Sequence, residues 1–274
     1  MKALIDGDIV CYRSAASAEK DDQEIALIRA SRTLQDIISV CDASEVKLFL
    51  SGTANFRRDI YPDYKANRLK LVKPKHLNAV KEFLILQWGA EVTDGYEADD
   101  ALGMGAGVQT VICSIDKDLR QIPGGHYNFV TGVFDQISAI EGWRNFYYQL
   151  VLGDRGDNVP GFDGKMRVKW PNFLCPIKAS LDGCKTAFEM YQVVKEVYKN
   201  DEILLRNGRL IYLWRKLNDL WQPPELNSSE GKPEGAENSA SMTTTLVGST
   251  PSTVRGSTKR KKGGYRRRGR KRVS

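Results

Sequence analysis

Histidine is almost missing from this chain: His76 and His126 are the only two in 274 residues. The five cysteines, Cys11, Cys41, Cys113, Cys175 and Cys184, are scattered and form no CxxC pattern, nor do the histidines form HxxxH. A zinc site of nitrogen and sulfur ligands therefore has no basis in the sequence, and an odd, dispersed set of thiols suits a reducing compartment. Long apolar runs are missing too. The opening MKALIDGDIV is interrupted by Asp6 and Asp8, so it does not read as a signal peptide, and no stretch approaches the roughly 18 apolar residues of a membrane span. The expectation is a soluble cytoplasmic protein with no membrane partner. There is no GxxxxGK[ST] phosphate loop, GMGAG at 103–107 lacks the strand-then-helix setting of a dinucleotide fingerprint, and no Ser/His/Asp set competes.

Charge is plentiful and unevenly placed. The formal net charge is +7, yet residues 225–274 alone carry 12 Lys/Arg against 4 Asp/Glu, which leaves the body near −1. The basic character belongs to a Ser/Thr/Gly-rich segment ending KRKKGGYRRRGRKRVS, which reads as disordered linker and solvated basic tail. With 41 % hydrophobic residues, the chain can bury a sizeable core.

Residues 3–10 read as a buried strand, 22–41 as an amphipathic helix with Ile25, Ile28, Leu34, Ile37 and Ile38 at helical spacing, and 46–51 as a second strand. The basic, aromatic NFRRDIYPDYKANR at 55–68 has weak periodicity. A helix near 75–87, a short strand near 90–93, a helix opened by GYEADD, the strand VQTVICSID at 108–116 and a short helix in KDLRQIP follow. From 143 the pattern turns helical, with helices near 184–199 and 201–221. Strands alternating with helices indicate an α/β fold whose mostly parallel sheet has flanking helices, with ligands in the crevice beyond the carboxyl ends of the strands.

The acids fall at those ends. Asp6 and Asp116 end strands, Glu97, Asp99 and Asp100 open a helix, and Asp8, Asp118, Asp154 and Asp157 stand nearby in DxD and GDRGDN patterns. Glu97 with Asp100, and Asp154 with Asp157, have the spacing of one helix face. A lone DxD is usually a turn or cap, and acids in a first helical turn commonly just favour the helix dipole. A converging set is different, because its mutual repulsion needs a cation. Hard divalent ions take such oxygen ligands, and a pair of them drives phosphodiester hydrolysis. Arg57, Arg58, Lys65, Arg68, Lys70, Lys73 and Lys75, interleaved with Phe56, Tyr61 and Tyr64, suit phosphate holding and base stacking; in isolation they equally suit a solvated loop.

YKANR (64–68), GYEADD (95–100), SIDKDLRQIPG (114–124) and LGDRGDNVPG (152–161) occur in the order seen in the 5′-nuclease family of flap endonucleases, polymerase I 5′-nuclease domains and phage 5′→3′ exonucleases. GRLIYLW at 208–214 most resembles the podophage exonucleases. The resemblance implies a PIN-like catalytic domain over 1–142 with a helical arch at about 53–75, a helix-hairpin-helix DNA-binding region over 143–224, and the linker and tail over 225–274. It implies two Mg²⁺ or Mn²⁺ ions on Asp6, Glu97, Asp99, Asp100, Asp116, Asp118, Asp154 and Asp157, with Lys65 and Arg68 acting in the arch that passes a 5′ single strand. It adds DNA contacts from the backbone N–H groups of Gly161 and Gly164 and from Lys165 and Arg167, beside Arg57, Arg58 and Lys73, and a K⁺ at the hairpin.

The implied activity is a monomeric 5′→3′ exonuclease with flap endonuclease action on DNA bearing a 5′ end or flap, or on an RNA–DNA hybrid. Its setting would be phage-type replication, primer removal or host DNA degradation in the host cytoplasm. A PIN-like ribonuclease and a catalytically decayed DNA-binding protein are the alternatives. Three departures stand out, one of them the basic tail over 225–274, which the family does not lead one to expect. Ser51 ends the second strand where many relatives carry Asp, and KMRVKWPNFLCPIKASLD separates Gly164 from Gly183-Cys184-Lys185-Thr186-Ala187, as an insertion or because the later match is chance.

Overall fold

A computed structural model describes residues 1–225, so the linker and tail expected over 225–274 lie, Glu225 apart, outside the described residues. The chain starts in the middle of its sheet. β1 (Lys2–Asp6) sends Ala3 and Ile5 to one face and Leu4 to the other, all fully buried, as a strand covered on both faces requires. Helix α1 (Gly7–Ser17) follows without a loop, so the strand expected over 3–10 stops at Asp6. The reason is local: the Asp6 carboxylate accepts the Ile9 N–H at 3.1 Å and caps the helix.

Next come α2 (Gln23–Val40), β2 (Glu45–Leu50), α3 (Phe56–Ile60), α4 (Leu77–Trp88), β3 (Glu91–Val92), α5 (Ala98–Gly105) and β4 (Thr110–Cys113). A Cβ on Gly7 would stand 2.5 Å from the Phe49 carbonyl oxygen, so only glycine lets α1 begin this close to β2. β5 (Gly124–Asn128) and β6 (Val133–Ile137) form a hairpin that the sequence pattern does not announce. Gly124 and Gly125 weaken its strand signal, and four of the five β6 residues are exposed on the sheet edge, which removes the apolar alternation.

The sheet runs β3-β2-β1-β4-β5-β6, parallel except for β6. α1, α2 and α4 cover one face through Val10, Ala30, Leu34, Val80 and Leu84. α5 covers the other through Ala98, Ala101 and Leu102, which pack on Leu4 and Ile112. Burying each such Leu or Ile removes its side chain from water and contributes about 1.5–3 kcal/mol. The architecture is the mixed, mostly parallel sheet with flanking helices expected for a PIN-like fold.

The remaining elements are α6 (Ala139–Leu152), β7 (Gly153–Asp154), β8 (Val159–Pro160), α7 (Cys175–Gly183), α8 (Ala187–Tyr198) and α9 (Asp201–Ile211), built around Phe146, Tyr147, Leu150, Met190 and Val194. The helix expected over 201–221 ends at Ile211, and the chain continues as an extended strap across α5. Residues between Gly164 and Gly183 add α7, and Cys184, Lys185 and Thr186 link it to α8, where the Thr186 hydroxyl accepts the Glu189 N–H at 3.1 Å. The separation between the two glycine motifs is thus occupied by a short 3₁₀ turn and α7. Among the described residues no helix is long and apolar enough to cross a membrane.

Candidate metal centre and active site

β1 lies between β2 and β4, and the crevice beyond its carboxyl end collects the acids. Asp6 is 2 % exposed. Its Oδ2 accepts the Ser114 hydroxyl at 2.7 Å; Ser114 Oγ in turn accepts the Asp116 N–H at 3.0 Å, and Asp116 Oδ1 accepts the Asp118 N–H at 2.9 Å. Short polar side chains thus fold the chain after β4 back toward β1. The Gln149 amide of α6 donates to Asp118, held there by Gln121. Asp154, at the end of β7, accepts the N–H groups of Gly156 and Asp157 at 2.6 and 3.1 Å.

These acids sense one another. Burial, reinforced by Asp8 and Asp116, pushes Asp6 up to about 7 despite its hydrogen bonds. Burial, with Asp6, Asp116 and Glu97, raises Asp99 well above the carboxylate range. Asp118 rises to about 8 through burial and then Asp116 and Asp154. Among the described residues no Lys or Arg forms an ion pair with Asp6, Asp99, Asp116 or Asp154. Among the described residues, four of the five carboxylates in the crevice therefore have no ion-paired base and the fifth, Asp118, has only Lys117 at 3.9 Å, which is the electrostatic signature of a cation site.

Glu97 and Asp157 are treated differently. The Tyr64 hydroxyl lies 2.9 Å from Glu97 Oε2 and 2.7 Å from Asp157 Oδ2; Lys65 Nζ contacts Glu97 and stands 3.6 Å from Asp157, and Arg68 reaches Asp157 at 2.5 Å. Burial opposes the Glu97 charge, but Lys65 and Arg57 outweigh it and hold the carboxyl below its usual range. Asp157 goes the other way, since burial with Glu97 and Asp154 exceeds what Lys65 and Arg68 return. Lys65 has φ 56, a left-handed conformation costly for a side chain of its kind, and its N–H bonds the Asp157 carbonyl at 2.9 Å. The backbone is thus bent to point YKANR into the cleft.

Other expected residues are placed elsewhere. Arg57 is 1 % exposed, held by Asp100 and by the carbonyls of Leu210 and Tyr212, so the expectation that it grips DNA is corrected: its guanidinium has no route to a phosphate. Asp100 is fully buried with both oxygens engaged. The N–H groups expected to hold a phosphate are also committed: Gly161 donates to the Lys165 carbonyl at 2.8 Å and Gly164 to the Gly161 carbonyl at 3.0 Å. These glycines serve the turn, Gly161 by close approach to the Val151 carbonyl and Gly164 through φ +79. Arg58, Lys73 and Lys165 are exposed, while Arg167 pairs with Asp163 at the cleft wall. Ser51 Oγ accepts the Ala98 N–H at 3.0 Å, fastening β2 to the start of α5. Sequence reasoning gave no role to Ser114, Gln121 or Gln149; a neutral amide inside an apolar helix carries no pattern that could have flagged it.

A cleft of about 280 Å³ is lined by Lys65, Arg68, Asp99, Asp116, Asp118, Asp154 and Asp157. A larger cavity of about 780 Å³ lies at the opposite ends of the strands, between Met1, Thr110 and Phe134, away from these acids. Among the described residues no group of three or more His, Cys, Asp or Glu side chains is drawn close enough to hold a metal ion as it stands. The donor set is nonetheless all oxygen, repelled by its own charge and open to water. That suits a hard divalent cation that keeps several waters and uses few direct protein ligands.

Comparison with known proteins agrees. Residues 2–144 match the family model described as the 5′-3′ exonuclease, N-terminal resolvase-like domain. A 5′-3′ exonuclease of Buchnera aphidicola subsp. Schizaphis graminum is 25 % identical, the match covering 73 % of this chain and 73 % of that protein. The flap endonuclease Xni of Shewanella putrefaciens is 24 % identical over 59 % of this chain and 69 % of its own. The thermostable DNA polymerase I of Thermus aquaticus is 25 % identical over 67 % of this chain, which spans only 26 % of the polymerase. Among solved structures, the T5 5′-exonuclease with bound divalent zinc aligns with a TM-score of 0.57 and 18 % identity, covering 77 % of this chain and 89 % of that one. The T5 flap endonuclease in complex with DNA and metal ions gives 0.56 and 17 %, with the same coverage. The family model alone spans more than half of the sequence and includes β1, α5 and β4 with their carboxylates, and the chain belongs to the 5′-3′ exonuclease family of phosphodiester-hydrolysing nucleases.

Proposed function

We propose that the protein is a divalent-metal-dependent 5′→3′ exonuclease that also cuts 5′ flaps in DNA, serving replication, primer removal or host DNA breakdown in a phage setting. The observation that carries this is the crevice where burial and the charge of Asp116, joined at Asp118 by Asp154, raise the proton affinity of Asp6, Asp99 and Asp118, while among the described residues no Lys or Arg is ion-paired to these five acids save Lys117 at the rim, 3.9 Å from Asp118. These five, with Glu97 and Asp157 on the Lys65 side, would hold Mg²⁺ or Mn²⁺. Bound there, such ions supply an activated water and stabilise the leaving oxygen of a phosphodiester.

The chain's own residues do the rest. Lys65 lies at the seam between the acids and the open cleft, so its ammonium can donate to a non-bridging oxygen of a phosphate entering the cleft and help capture the 5′ strand. Arg68, half exposed, takes the neighbouring phosphate with its planar fork. Tyr64, 2 % exposed, fixes Glu97 and Asp157 relative to that pair. The exposed Arg58, Lys73 and Lys165 add sequence-independent, salt-sensitive grip on the backbone, and residues 143–224 hold the duplex beside the 5′ strand.

Cleavage of an internally labelled 5′-flap duplex, with Mg²⁺ and with EDTA beside a matching RNA strand, tests the reading. Products at the junction or from the 5′ end in Mg²⁺ alone are expected. Tight DNA binding with no cleavage even in Mn²⁺ would refute it in favour of a binder, and preference for the RNA strand would favour a ribonuclease.

A further inference from the structure

Asp100 is the one acid of GYEADD whose bonding capacity is full. Its Oδ1 accepts Arg57 Nη2 at 2.8 Å and the Trp214 N–H at 3.0 Å; its Oδ2 accepts Arg57 Nη1 at 2.6 Å and the Glu97 N–H at 3.0 Å. A carboxylate offers about four lone-pair sites, so none is left for an ion. Arg57 is similarly committed: beyond Asp100, Nε donates to the Leu210 carbonyl at 2.9 Å and Nη2 to the Tyr212 carbonyl at 2.8 Å. Its partners therefore lie on α5 and on the strap that follows α9.

The strap is fastened at other points. Leu213 is buried against α5 beside Ala98, Ala101 and Leu102, and the Trp214 ring stacks on Phe56 at 4.6 Å. A Cβ at Gly103 would fall 2.3 Å from the Trp214 carbonyl oxygen, so α5 is bare where the strap crosses it. Arg57 belongs to α3, which leads directly into Tyr64, Lys65 and Arg68. A single buried ion pair thus joins the entry to YKANR, the start of α5 carrying Glu97 and Asp99, and the strap.

We propose that Arg57 and Asp100 are a positioning pair, through which residues 210–214 hold the start of α5 and the YKANR segment in register, and that Asp100 ligates no ion. This rests on the metal-dependent reading above. The test counts Mn²⁺ bound by electron paramagnetic resonance, alongside cleavage at saturating DNA and thermal melting, in wild type, Asp99→Asn, Asp100→Asn, Arg57→Gln and the Arg57→Gln/Asp100→Asn double variant. Asp100→Asn should bind as many Mn²⁺ as wild type, while turnover falls about 10–100-fold with DNA affinity unchanged. Asp99→Asn should lose an ion. Asp100→Asn alone leaves the buried guanidinium with only Glu97, 3.8 Å away, as a charge partner, so the double variant should melt higher and cleave faster than that single one.

Loss of an ion in Asp100→Asn, matching Asp99→Asn, would overturn the proposal, as would a double variant no better than Asp100→Asn. If Asp100→Asn does not fold, Arg57→Gln decides, because it leaves every carboxylate in place: full Mn²⁺ occupancy with reduced turnover supports the pair, and wild-type turnover refutes it. A wild type that binds no Mn²⁺ would defeat the metal reading itself, and this proposal with it.

Discussion

Replacing Tyr64 with Phe removes one oxygen and leaves the ring packing intact, which isolates the hydroxyl between Glu97 and Asp157. The hydroxyl has one proton, so it serves one carboxylate at a time, and the variant loses one charge-assisted hydrogen bond in a site 2 % exposed. Such a bond contributes about 1.5–3 kcal/mol. For a chain of this size each kcal/mol moves the melting temperature by about 2–4 °C, so Tyr64→Phe should melt roughly 3–12 °C lower in EDTA. Differential scanning calorimetry in EDTA and in Mg²⁺ is the assay. Divalent ions take over part of the neutralisation at Glu97 and Asp157, so the deficit should shrink when Mg²⁺ is added. A variant that melts like wild type in EDTA, or whose deficit is the same in both buffers, would refute the view that these acids share the hydroxyl and a cation.

Asp116→Asn should abolish cleavage while sparing DNA binding in a filter or anisotropy assay, since it removes a ligand rather than a phosphate contact. Because Asp116 repels Asp6, Asp99 and Asp118, the same variant should gain about 1 kcal/mol in EDTA, and a less stable protein would contradict the repulsion. Lys65→Ala should mainly weaken productive capture of the 5′ strand, seen as a cleavage defect greatest at low DNA concentration; equal loss at all concentrations would place Lys65 in the chemical step alone. Burial lowers the pKa of His126, so the folded state resists protonation. The stability this group contributes is complete above the unfolded value of about 6.5 and is lost as pH falls toward the folded one. His126→Gln should therefore flatten the fall in melting temperature below about pH 6.5, and an unchanged slope would exclude His126 as its source.

The parts of this molecule that were legible in the sequence are those where one physical requirement dominates. The covered strands at 2–6 and 110–113 had to be apolar at Ala3, Leu4, Ile5, Val111, Ile112 and Cys113, and the helix at 23–40 had to present one apolar face. Acids at strand ends were visible because charge there is conspicuous against apolar runs. Which acids face one another was not visible, since Asp99 and Asp100 are neighbours in sequence and opposites in environment, one repelled by carboxylates and the other clasped by Arg57. A basic stretch likewise gives no sign that one arginine turns inward: Arg57 and Arg58 differ only in which side of a five-residue helix they occupy. The hairpin at 124–137 escaped because its outer strand faces solvent, where no periodicity is imposed.

The bonds from Arg57 to Leu210 and Tyr212 join positions 153 and 155 residues apart. Closures of that span are the slow steps of folding, because so much chain must be ordered before they form. The sheet can begin earlier at β1 and β2, whose paired residues Lys2 and Glu45 are 43 apart, while α5 is still loosely seated. Destructive capacity toward DNA would then be the last property this chain acquires. Refolding followed by tryptophan fluorescence and by quenched cleavage assays should show compaction preceding competence, and simultaneous recovery of both would argue against that order.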